Sequence, residues 1–185
     1  SGVLDWQSGV PIAYKWGTNE LVLAGTGGGA SGTPRLYVRQ GGVRFASGAD
    51  YVLPGSTRES LKLGLQASMP TSLTVEDGAT LRLGGILVSA EATTTAGNTA
   101  ALVQQGGVVE LTNVSGDAGT AFFLRDWGTA PASYTLNGGT FAMPAGAWAN
   151  VGLHGLGLLT VNGGSMTLGR FAAGFQAQSV ATGLG

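Results

Sequence analysis

The stretch LLTVNGGSMTL (158–168) has four relatives in the same chain: SYTLNGGTFAM (133–143), ALVQQGGVVEL (101–111), SLTVEDGATLRL (72–83) and, more loosely, RLYVRQGGVRF (35–45). Each runs apolar-x-apolar, one or two polar residues, Gly-Gly or Gly-Ala, then apolar-x-apolar. Alternation with period two on both sides of the glycines describes strands with one buried face. The glycines supply a bend where a side chain would obstruct or where φ must be positive. Few windows of a dozen residues lack glycine, and each costs a helix roughly 1 kcal/mol relative to alanine. A recurring unit with one apolar face cannot bury that face alone, so its copies must stack into a shared core.

The first glycines of the copies fall at Gly41, Gly78, Gly106, Gly138 and Gly163, spaced by 37, 28, 32 and 25 residues. That drift suits coils carrying loops of different length rather than a strict short repeat. A second series lies between the copies: TAFFLRDWG (120–128), AWANVGLHG (147–155) and GRFAAGFQ (169–176), with GILVSAEA (85–92) as its earlier member. Two strand series alternating at similar spacing predict an all-β solenoid with about three short strands per coil. Over 72–175 the alternation points Val75, Leu81, Leu83, Val103, Leu111, Leu136, Phe141, Met143, Val161, Met166 and Leu168 inward. STRESLKLGLQASM (56–69) has a capping-box spacing at Ser56 and Glu59, but Leu61, Leu63 and Leu65 alternate around Gly64, and the strand reading is favoured.

Composition narrows the function classes. Glycine makes up 34 of 185 residues, against a usual ~7%, and charged residues 10%, against a usual ~25%. Hydrophobic residues at 43% provide surface to bury. A net charge of −1 without a basic stripe gives no footprint for nucleic acid. The apolar runs fall well short of the ~20 residues of a membrane helix, so no membrane insertion is expected. The absence of cysteine excludes disulfides and thiolate metal sites.

Residues 1–34 lack the repeat and contain Trp6, Trp16 and a Gly-rich connector at 26–34. They are expected to form an irregular end unit or assembly segment, with the repeats occupying 35–185. GLG recurs at 155–157 and 183–185, one coil apart, so another coil is due where the sequence stops. An uncovered solenoid end is a template for association. Val3, Trp6 and Trp16 at one end, and Val180 and Leu184 at the other, are the candidate interface for a head-to-tail homopolymer, an open heterologous assembly.

GLGLLTVNGGSMTLG (155–169) followed by RFAAGFQAQSVATGLG (170–185) resembles the Gly-rich repeats of bacterial autotransporter passenger regions and related exported β-solenoid proteins. The likeness is good over 133–185, fair over 72–128 and weak before residue 56. It implies a right-handed parallel β-solenoid, export, and a role at the cell surface or outside the cell, and it carries over no catalytic residue. Unlike full autotransporters, the sequence has no membrane β-barrel segment.

Reactive groups are sparse. His154 in GLHG reads as a surface or turn residue, and one histidine without cysteine excludes most zinc sites. The turns VEDGAT (75–80) and SGDAGT (115–120) offer oxygen ligands but lack tandem G-G-x-G-x-D, so they read as turns rather than calcium sites. Glu110, Asp117 and Asp126, with Arg125, are the only candidate catalytic carboxylates, and acids in register on stacked coils would approach one another in any solenoid. Asn113 opens a chance-level sequon, NVS. Trp127 and Trp148 are candidate glycan contacts or packing residues. The reading is a non-enzymatic, exported structural protein without cofactor or metal: a surface fibre subunit or adhesin stalk. Its expected partners are copies of itself and surface glycans. The alternative is a carbohydrate-active β-helix, lyase-like or like a phage tail-spike glycan binder.

Overall fold

A computed structural model describes residues 12–29, 34–55, 60–64, 70–88, 99–112, 120–124, 131–153, 155–174 and 180–183. No helix occurs among them, and the fold is a parallel β-solenoid with three strands per coil. The first coil holds β1 Ile12–Lys15, β2 Leu21–Leu23 and β3 Thr26–Gly28. The second holds β4 Arg35–Val38, β5 Gly41–Phe45 and β6 Asp50–Leu53, and the third β7 Leu61–Leu63, β8 Thr71–Val75 and β9 Thr80–Leu83. Next come β10 Ile86–Val88, β11 Ala100–Gln104 and β12 Val108–Leu111, then β13 Thr120–Leu124, β14 Ala132–Leu136 and β15 Thr140–Ala142. The sixth coil holds β16 Trp148–Val151, β17 Gly157–Val161 and β18 Ser165–Thr167, and β19 Arg170–Ala173 and β20 Val180–Gly183 begin a seventh.

Every third strand pairs in parallel. Sheet A is β1-β4-β7-β10-β13-β16-β19, sheet B is β2-β5-β8-β11-β14-β17-β20, and sheet C is β3-β6-β9-β12-β15-β18. The register is residue for residue: Leu73 stands beside Leu102, then Tyr134, then Leu159. The inward rows make one continuous apolar core, from Leu36, Val43 and Tyr51 to Val151 and Leu159, with Val161, Met166 and Leu168 packed at its margin. The described part of 1–34 is itself a coil in register with the next, Ala13 beside Leu36 and Leu23 beside Phe45.

The glycine turns lie between sheets B and C. Gly107, Gly139 and Gly164, the second member of each pair, have φ of +66°, +77° and +79°. A Cβ at Gly139 would strike the Gly107 carbonyl oxygen of the preceding coil, and one at Gly164 the Gly139 carbonyl oxygen. The glycines therefore provide both the left-handed backbone and the close stacking of turns. In the VEDG turn Asp77 stands at the first glycine position, and its Oδ1 accepts the backbone N–H of Gly78 at 3.0 Å and of Gly107 at 3.4 Å. Beside the pairs runs an amide ladder: Asn137 Nδ2 donates to Gln105 Oε1 at 3.0 Å, and Asn162 Nδ2 to Asn137 Oδ1 at 2.8 Å.

Two expectations need correction. RLYVRQGGVRF is not a copy of the Gly-Gly unit: RLYV is β4 in sheet A, and Gly41 and Gly42 open β5 in sheet B beside Thr71 and Ser72. The true copy in that coil is VRFASGADYVL (43–53), turning at Gly48, φ +78°. Val103 faces outward, beside Thr74 and Thr135, because Leu102 and Gln104 take the inward seats. Gln104 is fully buried yet satisfied: Tyr134 Oη donates to its Oε1 at 2.5 Å, and its Nε2 donates to the carbonyls of Thr140 at 3.0 Å and Gly107 at 3.3 Å. Burial pushes the Tyr134 hydroxyl far above its ordinary pKa, so it remains a donor. Its ring packs edge-on to Phe122 and Phe141, with centroids 5.5 and 5.4 Å away.

Candidate functional site

Sheet A has an outer face unlike the others. In β1 the inward residues are Ala13 and Lys15, which leaves Ile12 and Tyr14 outward, followed directly by Trp16. In β4 the inward residues are Leu36 and Val38, which leaves Arg35 and Tyr37 outward, followed by Arg39. Period two therefore puts Tyr14 and Tyr37 side by side on one face, with Trp16 and Arg39 directly past the ends of the two strands. Lys62 continues the Tyr14–Tyr37 row in β7.

The side chains of this face pack on one another. The Arg39 guanidinium lies 4.8 Å from the Tyr14 ring centroid and 5.0 Å from that of Trp16. Tyr14 and Tyr37 meet edge-on at 5.6 Å, and Lys62 Nζ stands 5.8 Å from the Tyr37 ring. Arg35 Nη1 donates to Tyr37 Oη at 3.4 Å. Tyr14 and Trp16 nonetheless remain 44% and 55% exposed. The Nε atoms of Arg35 and Arg39 are shielded from solvent without a hydrogen-bond partner. The described carboxylates lie elsewhere: Glu20 and Glu76 bind Arg44, Asp50 binds Arg82, Asp77 closes its turn, and Glu110 is an exposed residue of sheet C.

Lys15 anchors this corner. Its inward-row position ends against backbone, and Nζ donates to the carbonyls of Trp16 at 3.0 Å, Gly17 at 2.6 Å and Gln40 at 3.0 Å. Desolvation by burial lowers its pKa. The three bonds fix the backbone that carries Trp16 against the backbone that follows Arg39.

Of the residues singled out from sequence, Trp16 belongs to this face and Trp148 does not. Trp148 is half-buried in β16, with the Arg170 guanidinium 5.5 Å from its ring centroid. Val3, Trp6, Trp127, His154, Leu184, Asn113, Asp117, Arg125 and Asp126 lie outside the described residues. Val180 begins β20, its backbone beside Leu158. Glu110 stands beside Arg82 and Ala142. Among the described residues no three His, Cys, Asp or Glu side chains cluster. Taking RLYVRQGGVRF as a Gly-Gly unit hides Arg35, Tyr37 and Arg39 as an outward row, and Tyr14 lies in the stretch that lacks the repeat. The signal was present in IAYKW and RLYVR. Comparison of the chain with protein-family profiles, curated proteins and solved structures finds no match.

Proposed function

We propose that this chain is a non-enzymatic structural β-solenoid of the bacterial surface or the extracellular space, a rigid fibre or stalk unit that extends by stacking coils. The observation that carries this reading is Phe171. It stands in the inward row of sheet A beside Ala149, yet it is 45% exposed. Val161, Met166 and Leu168 in the neighbouring strands are likewise only partly covered. An apolar layer of this kind is completed by another coil, which adds backbone pairing and core burial together. The resemblance to exported Gly-rich repeats points the same way.

Light scattering and negative-stain microscopy of the purified chain across a concentration series test the proposal. The expected result is elongated particles that lengthen with concentration and are shortened by Phe171→Asp. A monodisperse monomer at high concentration overturns stacking between chains. Incubation with acidic and neutral polysaccharides is expected to release no oligosaccharide. Release that disappears in Glu110→Ala would overturn the non-enzymatic reading.

A further inference from the structure

We propose that the outer face of sheet A across the first two coils binds an acidic saccharide, a uronate-bearing oligosaccharide, through Trp16, Tyr14, Arg39 and Arg35. Exposed aromatic rings offer flat apolar surfaces to the C–H face of a pyranose. Both guanidiniums lack a carboxylate partner among the described residues, and the planar N–H fork of arginine matches a carboxylate in two parallel bonds. Arg39 already rests against two rings, within 5.0 Å of both centroids, so less of its freedom remains to be lost on binding. Arg35 opens β4 and Arg39 directly follows it, so their backbones are about 13 Å apart at strand rise. The Arg35 guanidinium at Tyr37 and the Arg39 guanidinium at Tyr14 flank the paired Tyr14 and Tyr37 rings, so one oligosaccharide lying across this face can present acidic groups to both.

The face points away from the solenoid axis, so a further coil stacked before β1 would add a strand beside it and leave it open. Two features favour a saccharide over nucleic acid. The chain carries a net charge of −1, and of its described cations Arg35, Arg39 and Lys62 stand on this face, while Arg44 and Arg82 are paired with carboxylates on other faces and Arg170 lies against Trp148, so the basic groups here do not extend into a longer stripe. This proposal is independent of stacking between chains, which uses the end layer of the core.

Calorimetric titration of the purified chain with oligogalacturonate at low and moderate salt tests it. Neutral dextran oligosaccharide, polyglutamate and a single-stranded oligonucleotide serve as comparison ligands. Saturable binding of oligogalacturonate is expected, weakened by salt, with dextran and polyglutamate much weaker. Trp16→Ala and Arg39→Gln should each weaken it about tenfold or more. Arg39→Lys, which keeps the charge and loses the fork, should give an intermediate loss. Trp148→Ala and Arg82→Gln, remote from the face, should bind as the unaltered chain does. Far-UV circular dichroism of every variant separates lost binding from lost fold. Absent binding, equal binding of polyglutamate or the oligonucleotide, or unchanged affinity in folded Trp16→Ala and Arg39→Gln would each overturn the proposal.

Discussion

On the outer side of sheet A, the row from Tyr14 through Tyr37, Lys62, Leu87 and Phe123 is built of large side chains. From Tyr37 to Phe123 it is buried, although it faces away from the core. On the outer side of sheet B the rows hold Ser72, Ala101, Ser133 and Leu158, and Thr74, Val103, Thr135 and Thr160, half-buried or exposed. The inward rows of the two sheets are alike. Stacking is thus secured from inside, and the outer rows decide whether a sheet is packed on both faces, as parallel sheets usually are, or left as free surface. Sheet A is two-sided through its middle and opens at its first coil, where Tyr14 and Trp16 emerge.

The largest effect expected is one that both sheets share. Leu81→Asp places an unpaired charge in a fully buried seat, and the protein should fail to fold, read by loss of the β-sheet dichroism signal. Next comes the substitution pair that could break the comparison. Phe123→Ala should cost about 3 kcal/mol or more in denaturant unfolding, like a core residue, because it is 4% exposed. Thr135→Ala, at an outward position of sheet B, should stay within about 0.5 kcal/mol. Equal costs at the two sites would erase the distinction between the faces.

A turn offers a sharper contrast. Gly139→Ala forces a Cβ into a left-handed backbone against the Gly107 carbonyl and should cost about 2 kcal/mol or more. Gly146→Ala, where a Cβ meets nothing within 4 Å, should be near neutral by the same assay. Inside sheet B, Gln104→Leu strands the buried Tyr134 hydroxyl and should cost about 1–3 kcal/mol, visible as a lowered unfolding midpoint.

The smallest effect belongs to the outer face of sheet B. The Arg44 guanidinium, hydrogen-bonded at 2.7 Å, and then the Ser47 N–H hold the Glu76 carboxyl below its ordinary range. A lowered carboxylate pKa stabilises the fold above the ordinary value of about 4.3, and that contribution disappears as pH falls through the lowered one. The melting temperature of Glu76→Gln should therefore fall slightly below that of the unaltered chain at neutral pH and converge with it in acid. The difference should be small because both groups are solvent-exposed and screened.

The sequence by itself determined the strand type, the inward rows over most of 72–175 and the number of strands per coil. Alternation at period two reports a buried face directly, and glycine pairs report the turn that separates two such faces. It misplaced Val103 because a buried glutamine breaks the apolar pattern. Gln104 belongs to the core only through Tyr134, Thr140 and Gly107, which lie up to 36 residues away. It also misread RLYVRQGGVRF, since a Gly-Gly before a strand and one between strands look the same until pairing fixes the register. Only the tertiary structure decided that Tyr14, Trp16, Arg35 and Arg39 share one surface. Outward rows are assembled from residues of different coils, 23 apart in sequence between Tyr14 and Tyr37 and 36 between Leu87 and Phe123, and nothing local records which coil lies beside which. The inner rows must be apolar in every coil and so leave a repeating signature. The outer rows carry no such requirement, and their chemistry becomes legible only once stacking has set them side by side.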